Sequence, residues 1–176
     1  AELLINLNAS PFHRGKHKER WQVLADRATE QSIPMIYVNQ VGGQDELVFD
    51  GGSFAVNADG ELAVVAPDFE EGCFELSVER TVRGVEIAQG VAAAALSDVA
   101  TVWQALVLGV RDYVEKNGFP GVVLGLSGGI DSAVTLAVAV DALGADRVQA
   151  VMMPFKYTAD MSVEDAGEQA SIMGVE

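Results

Sequence analysis

Cysteine is almost absent from this sequence: Cys73 is the only one, so no disulfide can form within the chain. Because disulfides belong to oxidising compartments, we expect a reducing, cytoplasmic location. Long apolar runs are also absent, and none approaches the roughly 20 residues that a membrane-spanning helix needs. Basic residues are few, since 11 Lys and Arg against 26 Asp and Glu give a formal net charge of −15. This charge argues against nucleic acid and against a membrane surface as partners.

The sequence does contain enough apolar material for a buried core. Hydrophobic residues make up 49% of the 176 positions, which suits one ordinary domain or two incomplete ones. The chain starts inside an apolar run and stops just after a helical pattern. We therefore expect both ends to lie within a longer protein, and we expect residues 1–176 alone to be inactive.

The stretch at residues 121–143 carries the strongest chemical signal. A short, β-branched apolar run at residues 122–124 predicts a buried parallel strand. The segment SGGIDS follows at residues 127–132, and a long Ala, Val and Leu segment after it predicts a helix. Such a junction brings backbone amides and the positive end of a helix dipole into one concavity. The pattern therefore predicts a phosphate site.

The glycine spacing separates this loop from two common phosphate-binding motifs. No lysine follows the glycines, as GxxxxGK[ST] requires, and glycines at positions 125, 128 and 129 do not fit GxGxxG. The segment SGGIDS resembles the SGGxDS pyrophosphate loop of the ATP pyrophosphatase (PP-loop) superfamily, whose members cleave ATP between its α and β phosphates. An ordinary glycine-rich turn is the alternative, and six matched positions in a strand–helix context argue against it.

This resemblance implies roles for the loop residues. Serine hydroxyls and glycine amides would contact the β and γ phosphates, and Asp131 would give Mg²⁺ a hard oxygen ligand. The predicted ATP-binding residues are Gly125, Leu126, Ser127, Gly128, Gly129, Ile130, Asp131 and Ser132. Asp160, Glu164 and Asp165 could assist the Mg²⁺, although for Glu164 and Asp165 we favour an interaction with a helix N-terminus.

The remaining patterns predict two different halves. Apolar runs and helical periodicity indicate a strand at residues 2–8, a helix at 16–31 and a strand at 34–40. Short strands separated by turn signals follow, whereas residues 79–98 show no clean strand and are interpreted as a linker. An amphipathic helix at 99–117, whose apolar stripe includes Val99, Leu106 and Val114, leads into the SGGIDS loop, and strand and helix patterns then alternate. This alternation predicts a doubly wound parallel sheet.

Further resemblances place both halves in known families. Residues 111–133 and 152–166 resemble the start of NAD synthetase. Residues 5–16 and 37–54 resemble the C-terminal part of a nitrilase-type carbon–nitrogen hydrolase. A hydrolase domain ahead of an SGGxDS domain is the layout of the glutamine-dependent NAD synthetase family.

That layout implies a fold class and a domain division. The class is α/β: the C-terminal part of a nitrilase-type αββα sandwich, followed by the start of a doubly wound parallel-sheet domain of the adenine nucleotide α-hydrolase-like kind. The implied division is a glutaminase part at residues 1–80, a linker at 81–98 and a synthetase part at 99–176.

The layout also implies a reaction. The hydrolase half frees ammonia from glutamine. The synthetase half adenylates the carboxylate of deamido-NAD, and ammonia displaces AMP to give NAD. The expected partners are glutamine, deamido-NAD and ATP with Mg²⁺, and the full-length protein is expected to be a homo-oligomer. The alternatives are another PP-loop ATP pyrophosphatase, such as a GMP synthetase or a tRNA-modifying enzyme, and a non-catalytic ATP-binding fragment.

The hydrolase family uses a Glu–Lys–Cys triad, and none of it is assigned within this chain. The family's nucleophile precedes the strand that matches residues 2–8, so the triad is expected before residue 1. Cys73 is interpreted as a buried apolar residue of a short strand, not as the nucleophile. In the family, a serine and a basic residue six positions later contact glutamine, and Ser10 and Lys16 match them.

Two other features have ordinary structural interpretations. A basic cluster at residues 13–20 is expected to be a solvated loop and helix start. Metal binding by His13 and His17 is disfavoured because no carboxylate lies near them in sequence. Trp21 and Trp103 lie on apolar helical stripes and are expected to anchor the core.

Overall fold

The computed structural model describes residues 1–154 and 160–176. Most of the predicted loop between residues 154 and 161 and the side chain of Asp160 lie outside the described residues, as does the side chain of Gln89. The chain divides into two compact units. One comprises Ala1–Gly42 and Leu47–Ala105, and the other comprises Gly43–Glu46 and Leu106–Glu176.

Short strands make up most of the chain up to residue 90. In chain order they are β1 (Leu4–Asn8), β2 (Met35–Asn39), β3 (Val41–Gln44), β4 (Leu47–Asp50), β5 (Phe54–Val56), β6 (Leu62–Val65), β7 (Leu76–Thr81) and β8 (Gly84–Gly90). Four of them form one sheet in the order β1-β2-β5-β6, with β1 parallel to β2 and the other pairs antiparallel. The β3 and β4 strands pair with each other, and so do β7 and β8.

One face of the four-stranded sheet packs against helix α1 (Lys16–Gln31), and this confirms the predicted strand–helix–strand start. Alternate residues of a strand point to opposite faces, so every second residue of β2 and β5 meets the helix. The shared core consists of Leu24, Ala28, Met35, Tyr37, Phe54 and Val56. The rings of Tyr37 and Phe54 stack with their centroids 5.1 Å apart. Burying each large side chain contributes roughly 1.5–3 kcal/mol.

The opposite face of the sheet carries a second small core that includes strand β8. Ala55, Val64 and Ile87 are buried together there. Asn57 ties β8 to the sheet, since its amide accepts from the Ile87 N–H at 2.8 Å and donates to the Ile87 carbonyl at 3.2 Å. The prediction that residues 79–98 contain no strand is therefore wrong. Most residues of β7 are exposed, so its sequence lacks the clear alternation of apolar and polar residues that marks a half-buried strand.

The second unit alternates helix and strand. After α2 (Asp98–Lys116), which begins in the first unit, come β9 (Val122–Gly125), α3 (Ile130–Leu143), β10 (Val148–Val151) and α4 (Asp160–Met173). The β9 and β10 strands are parallel, with Val122 opposite Val148. Two parallel strands joined through α3 form the βαβ unit that the sequence predicted.

Two details of side-chain burial differ from the prediction. On α2, Val99 is 81% exposed and Leu106 is 47% exposed, whereas the buried residues are Ala105, Val107, Leu108 and Val114. The helix is apolar on several sides, so its periodicity does not determine which side is buried. Trp21 is 39% exposed and is not the core anchor that was expected.

A compact hydrogen-bonded clamp lies within the second unit. The Gly43 N–H donates to Asp112 Oδ2 at 2.7 Å, and Lys116 Nζ donates to the Gly43 carbonyl at 2.6 Å. Lys116 Nζ also lies 3.0 Å from Asp112 Oδ2. Burial of Asp112 opposes ionisation, but the hydrogen bonds from Gly43 and Lys116 and the nearby charges outweigh it and lower the pKa of this carboxyl. The clamp therefore favours the ionised form of Asp112.

Candidate functional site

The SGGIDS segment follows β9 and extends into the first turn of α3, which confirms the predicted strand–turn–helix junction. Leu126 is buried and donates its N–H to the Val151 carbonyl at 3.0 Å, so the loop begins beside the end of β10. Gly128 has a φ of +77°, which is the left-handed region that glycine adopts without a steric penalty. The loop therefore opens at the carboxyl ends of two parallel strands, the usual ligand-binding edge of such sheets.

The two serine hydroxyls of the loop hold it closed. Ser127 Oγ and Ser132 Oγ are 3.0 Å apart. The Gly129 N–H donates to Ser127 Oγ at 3.3 Å, and Ser132 Oγ donates to the Gly129 carbonyl at 2.9 Å. The Ser127 N–H also reaches Ser132 Oγ at 3.2 Å. These bonds set the backbone of the loop before any ligand arrives, which lowers the entropic cost of binding.

The first turn of α3 can accept an anion. Gly129 is the N-cap, and no side chain caps the helix. The first amides of a helix lack intrahelical acceptors, and the helix dipole adds roughly +0.5 charge at this end. Asp131 is exposed in the same turn. One carboxylate beside a phosphate site suits Mg²⁺, which keeps several waters and takes its other ligands from phosphate oxygens.

A second polar cluster surrounds Ser10, just after β1. The Ser10 N–H donates to Asn39 Oδ1 at 2.8 Å, and Asn39 Nδ2 donates to the Ser10 carbonyl at 3.2 Å. Arg20 donates from Nε to Ser10 Oγ at 3.3 Å and from a terminal nitrogen to the Ser10 carbonyl at 2.7 Å. Arg20 also donates to both oxygens of Asp50 at 2.8 Å. Arg20, Asn39 and Asp50 are all buried, so this cluster is a fixed part of the first unit.

The structure shows no direct contact between Ser10 and Lys16, the two residues that were matched to a glutamine site. Lys16 Nζ lies 3.8 Å from Glu19 Oε2, and among the described residues no hydrogen bond links Lys16 to Ser10. Lys16 instead lines a cavity of about 320 Å³ together with Phe12, His17 and Trp21. A ligand would have to bridge Ser10 and Lys16, and their shared role stays a prediction.

Sequence reasoning missed Arg20, Asn39 and Asp50 as parts of this cluster. Arg20 was grouped with a basic segment expected to be solvated, yet its side chain is buried. One signal could have revealed it: Arg20, Leu24 and Ala28 are spaced i, i+4 and i+8, and they are the buried residues of α1. A charged residue on the buried stripe of a helix requires a partner.

The two neighbouring histidines each lie near a carboxylate, and the expectation that none lies near them in sequence is wrong, because Glu19 is two residues from His17. His17 Nδ1 lies 3.6 Å from Asp68 Oδ1, and His13 Nε2 lies 4.0 Å from Glu19. Among the described residues, no group of three or more metal-ligating side chains occurs.

Burial raises the pKa of the Asp68 carboxyl. The positive charges of His17 and Arg20 oppose this shift, whereas the negative charge of Asp50 adds to it. Oδ1 of Asp68 is buried and lacks a hydrogen-bond partner in the part of the chain that the structure describes.

Cys73 departs from one prediction. Its side chain is exposed and precedes β7 instead of lying within a strand, so the expectation of a buried thiol is wrong. Its exposure follows from its position in residues 70–75, which are all exposed.

The fold and the loop together define a class: an α/β unit with a mixed sheet, followed by a second α/β unit whose two parallel strands lead into a glycine-rich loop. The chain belongs to the carbon-nitrogen hydrolase family, whose model matches residues 1–108, and the NAD synthase model matches residues 102–176. The predicted α/β fold class is thereby confirmed. Within the described residues, no helix is long and apolar enough to cross a bilayer.

Relatives with the same pair of domains are closely similar over the whole chain. The chain is 52% identical to the glutamine-dependent NAD(+) synthetase of Acinetobacter baylyi over 99% of its length, and it covers 32% of that relative. The corresponding protein of Xylella fastidiosa is 49% identical, again over 99% of this chain and 32% of the relative. The chain therefore spans about a third of the length of these relatives, and the predicted resemblance is confirmed.

Solved structures agree with this result. The glutamine-dependent NAD+ synthetase of Acinetobacter baumannii, solved in complex with ADP, superposes with a TM-score of 0.92 at 52% identity, covering 99% of this chain and 33% of that one. A glutamine-dependent NAD(+) synthetase from Cytophaga hutchinsonii has a TM-score of 0.78 at 20% identity, covering 99% of this chain and 35% of that one. The latter likeness concerns the fold alone.

Proposed function

We propose that the full-length protein converts deamido-NAD to NAD, with ATP as the activating substrate and glutamine as the source of ammonia. Two matches support this proposal: the hydrolase and NAD synthase models follow one another in this chain, and relatives named glutamine-dependent NAD(+) synthetase are similar over nearly all of it. We also propose a cytoplasmic, homo-oligomeric enzyme that binds no nucleic acid.

The need for ATP follows from the chemistry of the acceptor. A carboxylate is a poor acyl donor to ammonia, because hydroxide or oxide would have to leave. Attack of the nicotinate carboxylate on the α phosphate gives an acyl-adenylate and releases pyrophosphate. Ammonia then attacks the acyl carbon, and AMP leaves as a stable anion.

The geometry of the loop is the observation that carries the synthetase proposal. The hydroxyl oxygens of Ser127 and Ser132 lie 3.0 Å apart at the start of α3, which no side chain caps. The free backbone amides in the first turn of this helix favour a polyanion. We propose that the residues from Gly125 to Ser132 bind ATP, with the amides of Gly128 and Gly129 at the departing diphosphate. Asp131 would hold Mg²⁺, which spreads the negative charge of the leaving group.

For the hydrolase half, we propose that Ser10 and Lys16 contact glutamine. A hydroxyl suits the side-chain amide, and a cation suits the α-carboxylate. The domain division that we propose keeps the synthetase part at 99–176, whereas the segment at 81–98 contains all of β8 and belongs with the first unit. We propose that the Glu–Lys–Cys triad lies outside residues 1–176 and that these residues alone are inactive.

The test is an assay of the full-length protein with deamido-NAD, ATP and Mg²⁺, with either ammonia or glutamine. We expect NAD, AMP and pyrophosphate in equal amounts with both nitrogen sources. Formation of pyrophosphate only with a different acceptor would instead indicate another PP-loop enzyme. ATP binding without any pyrophosphate release would indicate a non-catalytic protein.

A further inference from the structure

Arg20 makes an unusually complete set of contacts for an arginine inside a protein. It is 6% exposed, and all three of its nitrogens donate hydrogen bonds. One terminal nitrogen donates to both oxygens of Asp50 at 2.8 Å. The other donates to the carbonyls of Ser10 at 2.7 Å and Pro11 at 3.2 Å, and Nε donates to Ser10 Oγ at 3.3 Å.

These contacts determine the direction of the hydrogen bond that Ser10 can make to a ligand. A guanidinium is only a donor, so Ser10 Oγ accepts from Arg20. The backbone N–H of Ser10 donates to Asn39 Oδ1 at 2.8 Å, and Asn39 Nδ2 donates to the Ser10 carbonyl at 3.2 Å. Among the described residues, no acceptor takes the hydroxyl hydrogen of Ser10. That hydrogen is therefore available, and Ser10 is half-buried rather than enclosed.

We propose that Arg20 is a positioning residue that fixes the Ser10 hydroxyl as a hydrogen-bond donor toward an acceptor oxygen of glutamine. This inference rests on the proposed contact between Ser10 and glutamine. Asp50 neutralises the buried guanidinium and holds it in a fork geometry that only arginine provides. A lysine at this position carries the same charge but cannot contact Asp50, the Ser10 carbonyl and Ser10 Oγ simultaneously.

The experiment measures the KM for glutamine and the ammonia-dependent rate in the full-length enzyme. We expect Arg20→Lys to raise the KM for glutamine about tenfold, the size of one lost hydrogen bond at a polar site. The ammonia-dependent rate should stay unchanged because it needs no glutamine. Arg27→Lys is the matched control, since Arg27 lies on the same helix and pairs with Glu30 at the surface.

Ser10 variants separate positioning from a general structural role. If Arg20 acts through the Ser10 hydroxyl, Ser10→Ala should raise the KM, and adding Arg20→Lys to it should raise it no further. Ser10→Thr keeps a hydroxyl and should retain most of the affinity. Additive effects of Arg20→Lys and Ser10→Ala would overturn the proposal, because the two changes would then act independently.

The outcomes also separate this inference from the proposed function. An unchanged KM in Ser10→Ala would remove the glutamine contact itself, and the inference with it. A raised KM in Ser10→Ala with an unchanged KM in Arg20→Lys would overturn the inference alone. If Arg20→Lys fails to fold, Asp50→Asn loosens the same guanidinium. Asp50→Asn should raise the KM for glutamine in the protein that keeps Ser10 but not in the Ser10→Ala variant. An unchanged KM in the protein that keeps Ser10 would overturn the inference.

Discussion

Gly128 lies directly against the backbone carbonyl of Ser162, in the first turn of α4. A β-carbon built on Gly128 would overlap that carbonyl, and the φ of +77° is itself unfavourable for other residues. Two independent constraints therefore require glycine at this position. The contact also means that the phosphate loop and the start of α4 are packed together within the second unit.

We expect Gly128→Ala to weaken Mg-ATP binding by at least tenfold in the full-length protein. The backbone must shift to relieve the overlap, and the left-handed conformation costs roughly 1–2 kcal/mol for alanine. Isothermal titration calorimetry with Mg-ATP measures the change. Gly167→Ala is the control, because Gly167 lies on α4 with open space around it, so affinity should be retained. Equal affinities for all three proteins would contradict the proposed loop.

Asp131→Asn tests the magnesium role. We expect ATP affinity to fall about tenfold with Mg²⁺ present and to change little in EDTA, because an amide is a much poorer ligand for Mg²⁺. Asp146→Asn is the control: Asp146 lies in the short 3-10 helix Ala145–Arg147, before β10. An identical loss with and without Mg²⁺ would indicate a structural role for Asp131 rather than metal binding.

The strand–turn–helix around the SGGIDS loop could be predicted from the sequence because its parts are contiguous. Strand β9, the serine–glycine turn and the start of α3 follow one another within residues 122–132, so local rules suffice. The strand–helix–strand start of the first unit was predictable for the same reason. The predicted strand at 73–78 overlaps the start of β7, whereas strand β8 was missed because Asn57, its polar tie to the sheet, is 30 residues distant from Ile87.

The cluster around Ser10 could not be predicted because long-range contacts form it. Arg20 pairs with Asp50 across 30 residues, and Asn39 meets Ser10 across 29. The i, i+4, i+8 spacing of Arg20, Leu24 and Ala28 could indicate that Arg20 turns inward, but nothing in the local sequence identifies its partners. Buried charges find their partners through tertiary packing, and that information is spread over several strands.

Cys73→Ser should leave glutamine-dependent NAD formation within about twofold of the wild type. Cys73 is exposed and outside the Ser10 cluster, and we propose that the nucleophile of the hydrolase half is a different residue. An exposed thiol should also react with a thiol reagent in the folded protein, and the substitution should remove one labelled site. Loss of glutamine-dependent activity with the ammonia-dependent rate retained would show that Cys73 takes part in glutamine hydrolysis.

Asp112 should contribute to stability in a pH-dependent way. Its side chain is 12% exposed, and it accepts from Gly43 and Lys116, so Asp112→Ala should cost roughly 1–3 kcal/mol of unfolding free energy at neutral pH. Because the folded state lowers the pKa of Asp112 below its ordinary value of 3.8, its contribution is present above that value. The contribution is lost as the pH falls through the lowered pKa of the folded state.

Urea unfolding of the intact protein at several pH values checks this prediction. Asp112→Asn should be less stable than the wild type at neutral pH. The difference should begin to shrink below about pH 4, where the unfolded state takes up a proton, and it should vanish below the lowered pKa of the folded state, where the wild-type carboxyl is protonated as well. Glu115→Gln is the control: Glu115 is 53% exposed and lies 3.6 Å from Arg147, a surface pair worth roughly 0–1 kcal/mol. A difference between Asp112→Asn and the wild type that stays constant through the acid range would mean that the Asp112 charge contributes nothing and that packing alone holds Gly43.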